Sequence, residues 1–182
     1  MVQYCHMKKA AIIIASEDFR DEEYFITKEI LEKNDISVKT VSDKIKAIGK
    51  FGGEATADVL ISDLNSDNFD AIIFAGGNGA VKLLDNELSY DIIKKTLIMK
   101  KILAAICIAP TILAKAGVLQ GKRATVWSSD MDKTAIKTIQ QNDGIYERSS
   151  IVIDGNIITA ENAEFAQEFG ETIAKELTKG SK

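Results

Sequence analysis

Residues 10–15 (AAIIIA), 70–75 (DAIIFA) and 102–107 (ILAAIC) form three short runs with almost no polar side chain. A strand with one solvated face alternates polar and apolar positions. Continuous runs of this length therefore predict strands buried on both faces, as in a parallel sheet covered by helices on either side. The segments between them carry a helical period. After residues 16–23 (SEDFRDEE), Phe25, Ile26, Ile30 and Leu31 recur near helical spacing until Asn34-Asp35 ends the segment. Residues 36–41 alternate as a second strand, and residues 46–59 (KAIGKFGGEATADV) predict a hairpin turning at Gly52-Gly53. Helices are predicted over about 87–100, from Pro110 to a stop at Gly117, over 131–141 and over 163–177. Between these lie a strand at 123–127 (RATVW) and a hairpin at 151–159 (IVIDGNIIT) turning on Asp154-Gly155. This order predicts a single-domain three-layer α/β/α sandwich with a mostly parallel, flavodoxin-like sheet. A length of 182 residues suits one domain, on a prior of about 100–200 residues each. We expect residues 1–7 to be a disordered leader, 8–179 the domain and 180–182 a tail.

Scarce residues restrict the chemistry. The chain has one histidine, His6, so a multi-histidine metal site cannot form within it, and no metal or other cofactor is expected. A Ser-His-Asp or Cys-His triad would need its base from the extreme N-terminus. Two cysteines, Cys5 and Cys107, are too few and too far apart in the chain for a disulfide framework and suit free thiols in a reducing cytoplasm. A net charge of −4, with 23 basic and 27 acidic residues interspersed, argues against nucleic-acid binding. No apolar run reaches the roughly 18 residues of a membrane span, and residues 1–9 (MVQYCHMKK) lack the apolar middle of a signal peptide. A cytoplasmic protein is expected, with neither membrane nor nucleic acid among its partners.

In open α/β sheets, sites lie beyond the carboxyl ends of the strands near the point where strand order reverses. Three such ends stand out: SEDFRDEE after the first strand, Gly76-Gly77-Asn78-Gly79, and Cys107-Ile108-Ala109-Pro110. Glycines leaving a strand let backbone N–H groups approach a ligand that a Cβ would obstruct. Cys107 falls on a sharp strand-to-helix turn, with the chain's only proline, Pro110, placed to start the helix. A thiol there faces the helix N-terminus, which favours the thiolate. The plain alternative for a lone cysteine in an apolar run is a small buried hydrophobe.

The segment AAICIAPTILAKAGVLQGKRAT resembles the nucleophile elbow of the DJ-1/PfpI (ThiJ) superfamily, which has a class I glutamine amidotransferase-like fold. It carries that family's Ala-Ile-Cys-x-x-Pro core and the following Ala-Gly-Val-Leu-x-Gly stretch. The opening strand with FRDEE, the strand ending in AGG, and the VIDGNIIT hairpin with its final helix agree in the same order. The resemblance implies that Cys107 is the reactive cysteine and Glu23 the carboxylic acid that hydrogen-bonds it, with Glu22 the alternative if the alignment slips by one. A protonated Glu23 would donate to the sulfur and lower the thiol pKa, whereas an isolated glutamate here would be a solvated helix N-terminal acid. Gly77 and Ile108 would offer backbone N–H groups to an oxyanion or an oxidised sulfur, with Gly76 and Asn78 in the same pocket. A turn role accounts equally well for Asn78.

Departures from the family pattern matter as much. Where the PfpI-like peptidases have histidine after the cysteine, this chain has Ile108, and the acid after their Gly-Gly motif falls on Val81. The DJ-1-like histidine falls on Trp127, which is either packing at the pocket rim or dimer surface, or an aromatic wall that keeps the site dry. The family's Arg-Gly-Pro is Glu161-Asn162-Ala163. Cysteine proteolysis needs a base and an acid, so peptidase activity is disfavoured. Two readings follow, the redox one first and the enzymatic one its alternative, weakened by the missing histidine, with whether the protein is an enzyme left open. One is a redox or stress-response protein whose Cys107 oxidises to sulfenic or sulfinic acid. The other is a glyoxalase or deglycase type enzyme in which Cys107 adds to a small reactive carbonyl and Glu23 shuttles protons. A non-catalytic scaffold is the third. The resemblance also implies a homodimer.

Overall fold

A computed structural model describes residues 7–179. The expected tail and all of the expected leader except Met7 lie outside the described residues, as do Cys5 and His6.

The chain opens with β1 (Lys9–Ile14), the short β2 (Glu17–Phe19) and helix α1 (Asp21–Lys33). Strand β3 (Ser37–Ser42) precedes the hairpin β4 (Lys46–Gly49) and β5 (Glu54–Thr56), then β6 (Val59–Leu60) and β7 (Ala71–Phe74). Helix α2 (Glu87–Ile98), β8 (Ile102–Ile106), helix α3 (Pro110–Lys115), β9 (Arg123–Ala124) and helix α4 (Thr134–Gln141) follow. Strands β10 (Ile145–Tyr146), β11 (Ile151–Asp154) and β12 (Ile157–Ala160) lead to helix α5 (Ala166–Thr178).

Seven strands form the central sheet in the order β11-β12-β8-β7-β1-β3-β6, parallel throughout except for the β11–β12 hairpin at one edge. The three apolar runs are β1, β7 and β8, adjacent at the sheet centre, which is why neither face of any of them tolerates a polar residue. Alternation decides which core each side chain joins. Ala11 and Ile13 of β1 pack with Ile92, Ile93, Ile112, Leu113 and Ile139 from α2, α3 and α4 on one face. Ile12 and Ile14 pack with Tyr24, Leu31, Phe169 and Ile173 from α1 and α5 on the other. Each fully buried isoleucine contributes roughly 1.5–3 kcal/mol of transfer free energy.

The three-layer architecture is as expected from the sequence. Boundaries differ where tertiary bonding overrides local pattern. Helix α1 begins at Asp21, taking three acids into its first turn, where the helix dipole favours them. Of the predicted 123–127 strand only Arg123–Ala124 is paired in a ladder. Thr125 N–H then donates to the Thr159 hydroxyl (2.9 Å) and Trp127 N–H to the Cys107 carbonyl (2.9 Å). The three-residue β2, too short to carry a period, forms because it lies beside β4 in a separate small sheet, β2-β4-β5.

Candidate active site

Strand order reverses about β1, with β3 on one side and β7 on the other, so a crevice opens beyond their carboxyl ends. Cys107 follows β8 immediately, with φ of 64°. A side chain in this left-handed region costs of order 1–3 kcal/mol. The turn is fixed on both sides: Cys107 N–H donates to the Ala160 carbonyl (3.0 Å), and its own carbonyl accepts from Trp127. Pro110 then occupies the first turn of α3, where its missing N–H has no partner to lose.

Glu23 resolves the choice between the two neighbouring acids. It is 1% exposed and lines the same cavity as Cys107, a space of about 220 Å³ completed by Arg20, Trp127, Asn162, Ala163 and Glu164. Glu22, one residue earlier, points to the surface and pairs with Arg20 at 2.8 Å. The Glu23 Oε2 accepts the Gly76 N–H at 2.7 Å. Its Oε1 is buried and has no hydrogen-bond partner of normal geometry. Gly76 must lack a side chain: a Cβ there would stand 2.8 Å from Glu23 Oε2 and 3.0 Å from the Cys107 Cβ. Gly77, at φ of 96°, lies against the backbone of Asp18–Arg20 and tolerates no side chain either.

Burial pushes Glu23 up to about 8 against the opposing pull of the Gly76 N–H, the Cys107 thiol and the Arg20 charge. Burial also raises the Cys107 thiol well above its usual value, and an ionised Glu23 adds to that. The N–H groups of Ile108 and Gly77 pull the other way. The sequence predicts a thiol pKa drawn down by the helix that follows. Helix α3 has only six residues, and desolvation outweighs it. At neutral pH Glu23 is therefore mainly protonated. In that state it carries no charge to repel a thiolate and has a proton to donate.

The structure thus brings together Cys107, Glu23, Gly76, Gly77, Ile108 and Trp127, with Asn78 at a wider mouth on the same cysteine. Gly76 differs from the pocket role expected of it, because its N–H is engaged by Glu23. Trp127 lines both openings as an apolar wall. Arg20, Lys50 and Glu164 are site residues that the sequence reading did not single out. Arg20 lies three residues before Glu23, but Lys50 sits in the β4–β5 turn, and no local pattern ties it to Cys107. Among the described residues no three His, Cys, Asp or Glu side chains converge as a metal site, and no helix is long and apolar enough to cross a membrane.

Residues 8–176 match the DJ-1/PfpI family. A protein of Methanocaldococcus jannaschii is 36% identical over 175 residues, spanning 95% of this chain and 84% of its own. A Pyrococcus abyssi protein named as a deglycase is 31% identical over 151 residues, 82% of this chain and 87% of that one. The crystal structure of a ThiJ/PfpI domain protein from Brachyspira murdochii superposes with a TM-score of 0.87 at 29% identity, covering 94% of this chain and 96% of that chain. The strand-end cysteine, the buried glutamate on α1 and this match over nearly the whole chain lead to one assignment: the chain belongs to the DJ-1/PfpI family.

Proposed function

We propose that the protein is a cysteine-dependent enzyme of the glyoxalase or deglycase type, acting on small reactive carbonyl compounds with Cys107 as nucleophile and Glu23 as proton carrier. The observation that carries this reading is the unpartnered, buried Oε1 of Glu23 in the cavity that also holds the thiol. An oxygen left without a partner costs folding free energy. It is also the group needed to move a proton beside the sulfur once histidine is absent from Ile108 and Trp127.

For methylglyoxal the steps balance without an external oxidant. The Glu23 carboxylate accepts the thiol proton as sulfur bonds to the aldehyde carbon, and the proton passes to the carbonyl oxygen, giving a hemithioacetal. Glu23 then takes the C–H proton of that carbon and returns it to the neighbouring carbon while the hemithioacetal hydroxyl proton passes to the neighbouring oxygen, so the first carbon is oxidised and the second reduced. The resulting thioester of lactate is hydrolysed by water, with sulfur leaving as the thiol. The N–H groups of Gly77 and Ile108 are available to the oxyanions formed on the way. The Pyrococcus relative named as a deglycase agrees with carbonyl chemistry. Methylglyoxal loss with lactate formation, abolished by both Cys107→Ala and Glu23→Gln, tests it; activity that survives either substitution would overturn the assignment.

One observation favours a redox and stress-response reading as well. The same two N–H groups and a protonated Glu23 would hold a sulfinate on Cys107. Intact mass after graded peroxide would then show two oxygens on Cys107 and none on Cys107→Ser. What places carbonyl addition ahead is Glu23: both reactions start from the thiolate, but only the addition goes on to use a proton carrier in its later steps, and the Glu23 carboxyl shares the cavity with the sulfur. Peptide cleavage stays disfavoured for want of a histidine at either family position. A cytoplasmic homodimer is the assembly we expect, to be read by light scattering.

A further inference from the structure

The wider mouth onto Cys107, about 250 Å³, has a composition unlike that of the cavity around Glu23. Its lining side chains include two cations, Arg20 and Lys50, and no carboxylate, with Ile108 and Trp127 as apolar walls. Both cations flank one exposed aromatic ring: the Arg20 guanidinium lies 4.8 Å and the Lys50 Nζ 5.8 Å from the centroid of Phe51.

This arrangement is held in place. Asp21, in the first turn of α1, accepts the N–H groups of Phe51 (2.9 Å) and Gly53 (2.7 Å). Lys50 N–H donates to the Phe19 carbonyl at 2.8 Å. The β4–β5 turn is therefore fastened to the helix that carries Glu23. Arg20 is ion-paired with Glu22, so Lys50 carries the uncompensated charge of this mouth. Both Asp21 oxygens are occupied by these loop amides, and Glu164 lines the other opening. Glu22 engages Arg20 through Nε (2.8 Å) and Nη2 (3.2 Å), which leaves Nη1 available. Lys50 has no ion-pair partner among the described residues.

We propose that the site selects small carbonyl compounds that carry a negative charge, the anionic group resting against Lys50 and the Nη1 of Arg20 while the carbonyl carbon faces Cys107. The carbonyl part rests on the function proposed above; the anion selectivity does not. Beside the apolar walls of Ile108 and Trp127, the unpaired charge of Lys50 attracts an anion towards the thiol.

The test uses two alkylating agents of similar size, anionic iodoacetate and neutral iodoacetamide, with modification read by mass on the peptide that contains Cys107. The ratio of their rates cancels any change in thiol ionisation. It should fall at least about tenfold in Lys50→Glu and severalfold in Lys50→Gln. It should stay unchanged in Lys94→Glu, which makes the same charge change on an exposed part of α2. Raising the salt concentration should slow iodoacetate alone. A ratio unmoved by Lys50→Glu would overturn the proposal. Stronger protection of Cys107 against iodoacetamide by glyoxylate than by equal glyoxal would support it, and equal protection would overturn it. If the ratio shifts as expected but neither carbonyl protects, the anion-selective mouth stands and the carbonyl function falls.

Discussion

Glu23 and Cys107 interact within one crevice: the carboxyl Oε2 accepts the Gly76 N–H at 2.7 Å, Oε1 is buried with no other hydrogen bond of normal geometry, and the Cys107 thiol acts on the same carboxyl. Helix α1, packed on β1 and β3, supplies one residue and the end of β8 the other; the two are joined through β7, which pairs with β8 and is followed by the Gly76 that bonds Glu23.

Protonation of Glu23 sets a pH dependence. Its pKa is near 4.5 in an unfolded chain and about 8 in the fold, so the folded state binds the extra proton between those values. Its contribution to stability is fully present below the lower value and is lost as pH rises through the higher one, by about 1.4 kcal/mol per pH unit at the steepest. Denaturant titrations from pH 5 to 8 should show wild type losing stability relative to Glu23→Gln. A constant difference would mean that Glu23 titrates normally.

Activity should follow the same group in the opposite direction. If the carboxylate form of Glu23 accepts the thiol proton, kcat/KM for methylglyoxal rises about tenfold per pH unit below the pKa and levels off above about 8. Glu23→Gln should cost about 10²–10⁴-fold and remove this inflection.

Gly76→Ala introduces a Cβ 2.8 Å from Glu23 Oε2 and 2.9 Å from the Ile106 carbonyl. The backbone atom cannot yield, so Glu23 must leave its position. A loss of about 1–3 kcal/mol is expected by urea denaturation, together with an iodoacetamide rate at Cys107 that no longer responds to Glu23→Gln.

Cys107 holds a left-handed backbone with a side chain glycine would not need. Cys107→Gly should therefore be more stable than Cys107→Ala by about 1 kcal/mol in thermal or denaturant unfolding, although both are inactive. Equal stability would show that the turn is not strained.

Asp21→Ala removes the acceptor of two loop amides at the β4–β5 turn. The expected cost is about 1–2 kcal/mol, with faster hydrogen exchange confined to residues 49–53. Exchange unchanged in that segment would show that the loop is held by other contacts.

The sequence determined the layers and the elbow. Runs with no polar side chain in β1, β7 and β8 can only be interior strands, and Pro110 beside Cys107 marks a strand-to-helix turn whatever surrounds it. The glycine pair after β7 was legible for the same local reason. The choice between Glu22 and Glu23 was not, because one residue is about 100° of helix rotation, and only packing shows which direction is inward. Nor was the ionisation of the pair, since desolvation depends on everything that closes over it. The placing of Lys50 beside Cys107, 57 residues apart in sequence, came from the pairing of β4 with β2 and the hold of Asp21 on the turn between β4 and β5. Periodicity reads what each segment buries; which side chains meet, and in what charge state, was decided by tertiary packing alone.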